Sequence, residues 1–134
     1  MQFNPDAALA EAMSVFWTKG YESTSLQDLL AATGLSKSSL YQTFGNKQRL
    51  FERCLGYYRD TFASRLAARL AESTSGLEFL RELLMSVAAE ADARGPRRGC
   101  LLINTATEFA GRDKRVAQEV NQGTRKMLDL FETA

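Results

Sequence analysis

The sequence of 134 residues contains no histidine, and this absence excludes several kinds of chemistry. Histidine is the commonest general base and a common zinc ligand, so serine–histidine catalysis, cysteine–histidine catalysis and histidine-based metal sites are excluded. The sequence also has no glycine-rich phosphate-binding loop. We therefore expect a protein that is not an enzyme and that needs no cofactor.

Cysteine is scarce as well, and the two present are far apart, at Cys54 and Cys100. Neither has a second cysteine at metal-ligand spacing. Cys54 falls on an apolar helical stripe, which predicts a core position. Cys100 has two interpretations: the charges of Arg97 and Arg98 favour a reactive thiolate, whereas its place at the start of an apolar helix favours a buried, inert side chain.

Long apolar runs are also missing. No stretch approaches the roughly 18 residues that a membrane span needs, and the N-terminus has no basic-then-apolar signal pattern. We expect a cytoplasmic protein with no membrane partner. The net charge is only +1, and residues 1–60 carry six basic and six acidic side chains, but residues 35–50 carry three basic and no acidic ones. The local field there is therefore positive.

Apolar residues recur at helical spacing through most of the chain, which predicts an all-α fold. The spacing and the helix-breaking residues indicate seven helices. The first runs from Asn4 or Asp6 to Gly20, the second from Thr24 or Ser25 to Gly34, and the third from Ser36 through Phe44. The others run from near Asn46 to about Ala71, from about Leu77 to Ala93, from Cys100 to about Ala110, and from near Asp113 onward. The expected N-caps are Asn4 or Asp6, Thr24 or Ser25, Ser36, Asn46 and Asp113. On the fifth helix, the expected buried side consists of Phe79, Leu80, Leu83, Leu84, Val87 and Ala88.

Residues 24–47 hold two short helices separated by a turn that contains Gly34. This is the pattern of a helix-turn-helix, whose second helix enters the DNA major groove. With the first helix these two make a three-helix headpiece, and the long fourth helix joins it to a second helical bundle. We assign residues 1–46 to a DNA-binding domain and 47–134 to an effector-binding, regulatory domain.

Residues 5–58 resemble the DNA-binding domain of the TetR (tetracycline-repressor-like) family of bacterial transcriptional regulators. The resemblance lies in FWTKGYESTSL at 16–26, TGLSKSSLYQTF at 33–44, and GNK at 45–47 leading into LF at 50–51. More loosely, GCLLINTATEF at 99–109 is similar to the sixth helix of a subgroup of the family. The resemblance implies an all-helical homodimer that binds a palindromic operator in double-stranded DNA and releases it when a small molecule enters the C-terminal domain.

The sequence departs from the family pattern at two places. The basic arm that usually precedes the first helix is absent, and so are the last two helices, which form the family's dimer interface. We therefore expect that the regulatory domain is incomplete, and that a homodimer forms if those helices are present.

Helical geometry selects the DNA-facing residues of the third helix. Ser38 and Gln42 lie about 160° from the core residue Leu40, on the outward face, where Gln42 suits an adenine edge. Lys47 begins the fourth helix, where it suits a phosphate. With the positions that the family resemblance implies, the expected DNA contacts are Thr24, Ser25, Ser36, Lys37, Ser38, Ser39, Tyr41, Gln42, Thr43 and Lys47.

A ligand pocket in the second bundle would need apolar walls and a few polar groups, for an effector that we expect to be small and apolar. The candidate lining residues are Tyr58, Phe62, Leu66, Leu84, Met85, Leu101, Asn104 and Thr105, although such spacing is also typical of plain core.

The function that the sequence favours is a sequence-specific DNA-binding transcriptional regulator, a repressor released by a small-molecule effector. The near-neutral headpiece keeps one alternative open, a helical interaction protein of the same fold that no longer binds DNA.

Overall fold

The computed structural model describes residues 4–92, 98–109 and 112–133, and in these ranges the chain is all helical. This confirms the predicted fold class. The helices are α1 (Pro5–Lys19), α2 (Leu26–Thr33), α3 (Lys37–Phe44), α4 (Lys47–Glu72), α5 (Gly76–Asp92), α6 (Leu101–Phe109) and α7 (Lys114–Thr133). None of the described helices is both long and apolar enough to cross a membrane.

Six helices begin at side chains that accept hydrogen bonds from their own first turns, and these are Asn4, Ser25, Ser36, Asn46, Ser75 and Asp113. At α2 the cap is reciprocal: Ser25 Oγ accepts the Asp28 N–H, and the Asp28 carboxylate accepts the Ser25 N–H, each at 3.0 Å. Such caps satisfy donors that a helix cannot satisfy internally. The sequence predicted all of these caps except Ser75, because the interactions are local.

The headpiece is built from α1, α2, α3 and the beginning of α4. Its core residues Leu29 and Leu40 are fully buried, and Phe16 packs against Phe51 with ring centroids 4.8 Å apart. Since α2 and α3 have eight residues each, neither would be stable alone in water. Packing against α1 and α4 therefore holds them in place.

The long helix α4 has 26 residues and joins the headpiece to the second bundle. Its buried stripe runs from Leu50 through Cys54 to Leu66, and the core continues without a break into α6 and α7. Two ion pairs of 3.1 Å, Arg59 with Glu119 and Asp60 with Lys126, also join α4 to α7. The prediction that Cys54 is a core residue is confirmed.

The predicted buried side of α5 is wrong for most of its residues. Phe79 is buried and contacts Phe131, and Leu83 is half-buried, but Leu80, Leu84, Val87 and Ala88 are exposed. The periodicity correctly identified an apolar stripe; in the described residues, however, α5 meets α4 along one edge, so most of that stripe has nothing packed over it.

The helices α6 and α7 approach each other closely at Gly123, which is buried in the middle of α7. A methyl group added there would overlap the side chain of Leu102. Because Leu102 is itself buried, a larger residue at position 123 would force its side chain to move within a packed core.

We expect Gly123→Ala to lower the free energy of unfolding by about 1–3 kcal/mol through overpacking. Gly56→Ala is the matched control, since the added methyl in the middle of α4 would meet only Arg59 and Glu119 atoms at 3.5 and 3.7 Å. That variant should be about 0.5–1 kcal/mol more stable than the parent because alanine favours helix. Urea denaturation of both variants and of the parent measures the free energies of unfolding. Equal changes in the two variants would contradict the close approach of α6 and α7 at Gly123.

Candidate nucleic-acid interface and ligand cavity

The helix α3 presents one polar face to solvent. Lys37, Ser38, Tyr41 and Gln42 are exposed, whereas Leu40 on the opposite side is fully buried. The structure therefore brings together the outward-facing residues that the sequence selected, in a row along one helix. Their side chains offer an ammonium group, two hydroxyls and an amide, which are the groups that hydrogen-bond base edges and phosphates.

Three other predicted DNA contacts, Ser36, Ser39 and Thr43, are hydrogen-bonded within the protein or half-buried. Ser36 caps the helix and donates its hydroxyl to Ser39 Oγ at 3.0 Å, and Ser39 and Thr43 are half-buried. The carbonyl of Thr43 accepts a hydrogen bond from Arg53 at 3.4 Å. These residues shape the ends of α3 more than its outward face.

Lys47 lies in the first turn of α4, and its Nζ is 4.2 Å from the centroid of the Tyr21 ring. A cation over an aromatic face is attracted by the ring's quadrupole. The contact fixes the ammonium beside the start of a helix, whose free N–H groups also favour an anion.

Thr24 and Ser25, the other predicted phosphate contacts, are engaged within the protein. Thr24 is 1% exposed, its hydroxyl donates to the Gly20 carbonyl at 2.6 Å, and its N–H donates to Tyr21. At the start of α2, the hydrogen bonds from Ser25 and the nearby Lys19 lower the pKa of the Asp28 carboxyl. A phosphate at this helix end would meet that negative charge.

A cavity of about 810 Å³ lies between α4, α5 and the segment before α6. Three of the candidate lining residues, Tyr58, Phe62 and Leu66, contribute to its wall. Trp17 closes it on the headpiece side and packs edge-on against Tyr58, with centroids 5.2 Å apart. The remaining lining residues are Arg65, Ala68, Arg69, Leu83, Ser86, Val87, Gly99 and Cys100.

The rest of the predicted pocket needs correction. Leu84 and Met85 are 69% and 64% exposed and do not line the 810 Å³ cavity, because they lie on the side of α5 that faces away from α4. Leu101, Asn104 and Thr105 face a separate cavity of about 350 Å³ between α6 and the end of α1. The candidate residues that line a cavity are therefore divided between two separate cavities.

Asn104 and Thr105 have intramolecular partners. The Asn104 amide donates to the Arg98 carbonyl at 2.6 Å, and the Thr105 hydroxyl donates to the Leu101 carbonyl at 2.7 Å. Both side chains thus support α6 and the segment before it.

The two cysteines differ in environment. Cys100 is half-buried at the wall of the larger cavity, and Tyr58 donates a hydrogen bond to its sulfur at 3.5 Å. Arg98 stacks on Trp17 at 4.0 Å and donates to Ser14, while Arg97 lies outside the described residues. Burial raises the pKa of the Cys54 thiol to about 12.

No role was predicted from the sequence for Tyr21, Arg53 or Glu108, which all make contacts that stabilise the headpiece. A local pattern could have indicated Arg53, because it follows the exposed Arg49 by one helical turn. No local pattern indicates Tyr21 or Glu108, because their contacts join residues far apart in the chain.

A sequence profile described as "Bacterial regulatory proteins, tetR family" matches residues 8–54, from α1 into α4. Among curated proteins, the HTH-type transcriptional repressor ComR of Escherichia coli is 41% identical over 109 residues, which are 81% of this chain and 52% of ComR. The chain thus spans about half the length of that relative. The uncharacterized HTH-type transcriptional regulator YezE of Bacillus subtilis is 32% identical over 132 residues, 97% of this chain and 67% of YezE.

Among solved structures, the fold matches a cysteine-substituted form of the TetR family transcriptional regulator CifR in complex with a 26-base-pair operator duplex. The TM-score is 0.80 at 31% sequence identity, and the match covers 98% of this chain and 69% of the CifR chain.

We expect a thiol reagent to modify Cys100 in the native chain and to leave Cys54 unmodified. A thiol of pKa about 12 is thiolate in only roughly one molecule in ten thousand at pH 8, and Cys54 is also buried. Ellman's reagent should therefore label native Cys54→Ala like the parent and label native Cys100→Ser hardly at all. Denaturant should restore labelling of the latter, and rapid native labelling of Cys100→Ser would contradict the buried site.

Proposed function

Because the chain belongs to the TetR family of bacterial regulatory proteins, we propose that it is a transcriptional regulator that binds double-stranded operator DNA sequence-specifically. The observation that carries the proposal is the exposed polar face of α3. We propose that the chain acts as a repressor, and the name of the Escherichia coli relative supports this.

In this proposal α3 lies in the major groove. Gln42 reads an adenine through its amide, and Ser38 donates to or accepts from a neighbouring base. Lys37, in the first turn, contacts a guanine or a phosphate, and Tyr41 contacts the backbone or a thymine methyl. Ser36, Ser39 and Thr43 stay near the backbone at the ends of the helix.

Lys47 acts as a phosphate clamp. Its ammonium is held over Tyr21 beside the start of α4, so a phosphate there meets a fixed cation and free helix N–H groups. Thr24 and Ser25 help indirectly, because their hydrogen bonds shape the turn and the first residues of α2.

We further propose that residues 1–46 bind DNA and residues 47–134 regulate that binding. The 810 Å³ cavity lies within the range typical of small-molecule sites, and its walls are mostly apolar. An apolar effector between α4 and α5 would contact Tyr58, Phe62 and Leu66 on the same helix that begins at Lys47. A shift of α4 on binding would then move the clamp.

A palindromic operator requires two headpieces, so the proposed functional unit is a homodimer whose recognition helices are one helical turn of DNA, about 34–36 Å, apart. The solution mass of the chain, measured with and without operator DNA, tests this part. A monomer on DNA would contradict it.

We expect Gln42→Ala to lose discrimination at one base position, worth about 1–3 kcal/mol, while keeping non-specific affinity. Lys47→Ala should instead weaken binding to every duplex and lower the slope of log affinity against log salt by about 0.9. Titrations of a duplex recovered from a random-sequence pool by the parent chain, and of its single-base variants, measure both effects. Gln118→Ala and Lys114→Ala on the exposed side of α7 are the matched controls.

If Gln42→Ala and Lys47→Ala both bound DNA like the parent, the proposal that α3 lies in the major groove would be wrong. If the parent selected no duplex at all, the alternative of a helical interaction protein without DNA binding would replace this proposal. The near-neutral charge of residues 1–60 is the observation that favours that alternative.

We expect the cavity to bind a largely apolar anion such as anilinonaphthalenesulfonate. The bound probe should quench the fluorescence of Trp17, the only tryptophan in the chain. Ala68→Phe places a ring at the cavity wall and should raise the dissociation constant about tenfold. Ala67→Phe, on the neighbouring exposed position of α4, should bind like the parent. Equal binding by both variants would show that the probe uses another surface.

A further inference from the structure

The side chain of Glu108, at the end of α6, spans the boundary between the bundle and the headpiece. Its Oε1 accepts the Tyr21 N–H at 2.8 Å, and its Oε2 accepts the Glu22 N–H at 2.9 Å. The carboxylate also lies against Gly20, where φ is +83° and an added Cβ would be 3.2 Å from Oε1. Both oxygens therefore hold the turn between α1 and α2.

The turn held by Glu108 carries the ring on which Lys47 rests. Tyr21 packs against Phe51 and Phe109, with centroids 5.0 and 5.2 Å apart, and the Lys47 ammonium lies 4.2 Å from the ring centroid. Fixing the Tyr21 backbone thus limits where the Lys47 ammonium can be.

The interaction of Glu108 is directional. In the described part of the chain no cation lies within ion-pair distance of this carboxylate, and its recorded partners are two backbone N–H groups. Charge-assisted hydrogen bonds of this kind are stronger and more geometrically specific than neutral ones. A glutamine could accept only one of the two N–H groups, since its NH₂ would meet the other donor.

We propose that Glu108 is a positioning residue for DNA binding, which holds the 20–22 turn so that Tyr21 keeps Lys47 in place for a phosphate. This inference rests on the proposed function in one respect, the contact of Lys47 with DNA. Glu108 itself does not touch the duplex.

The test compares Glu108→Gln with Glu22→Gln, which removes the same charge from an exposed side chain in the same turn. Removing a negative charge near DNA should by itself leave affinity unchanged or raise it. Glu108→Gln should nevertheless bind the parent's selected duplex about tenfold more weakly, with the salt slope lowered by about 0.9 as one phosphate contact is lost. Affinity equal to that of Glu22→Gln would overturn the proposal.

A double-mutant cycle separates positioning from general stability. In the Lys47→Ala background, Glu108→Gln should weaken binding by much less than in the parent, because the group that it positions is gone. Full additivity would overturn the proposal and assign Glu108 a purely structural role. Thermal unfolding of each variant confirms that the binding assay compares folded chains.

A measurement without DNA keeps this inference separate from the proposed function. The Lys47 ε-methylene protons are bonded to the carbon next to the ammonium that lies over the Tyr21 ring. They should be shifted upfield in the NMR spectrum of the parent and of Glu22→Gln, and should lose that shift in Glu108→Gln. An unchanged shift would overturn the positioning role even if binding falls. If the parent binds no duplex, the proposed function fails, but the NMR shift still tests whether Glu108 positions Lys47. If Glu108→Gln does not fold, Glu108→Asp takes its place in these experiments, because the shorter aspartate side chain cannot reach both N–H groups.

Discussion

The orientation of α2 and α3 depends on the packing of Phe51 against Phe16, Tyr21 and Phe109. Phe51 belongs to α4, and its three aromatic neighbours belong to α1, to the turn after α1, and to α6. This single buried ring therefore joins the headpiece to the bundle. The polar face of α3 has its direction because α2 and α3, too short to be stable alone, pack on that aromatic core.

The sequence was sufficient for features that depend on near neighbours. Ser25, Ser36 and Asn46 were expected as helix caps, and they are, since a cap acts on N–H groups two or three residues away. The exposed and buried faces of α3 followed from the fixed rotation per residue of a helix, which places Gln42 opposite Leu40. Family resemblance then supplied the fold that these pieces form.

The features that the sequence could not supply depend on how distant elements meet. Leu80 and Leu84 have the spacing of buried residues, but their burial depends on a neighbour for that side of α5, which no local pattern specifies. Asn104 was expected beside Phe62, yet the rotation of α6 about its axis directs it to another cavity. The contact of Glu108 with Tyr21 joins residues 87 positions apart, and neither residue type indicates it.

The caps of α2 and α3 have a mechanical consequence. The N-cap bonds of both helices join residues three apart and the C-cap bonds join residues four apart, so the two helices can tilt together as a rigid unit without losing any of these bonds. The bonds that such a tilt would strain are those between the motif and its neighbours, from the Lys19 ammonium on α1 to the Asp28 carboxylate and from Arg53 on α4 to the Thr43 carbonyl. The resistance of the motif to rotation therefore lies in these two contacts and in the packing of Leu29 and Leu40 in the headpiece core.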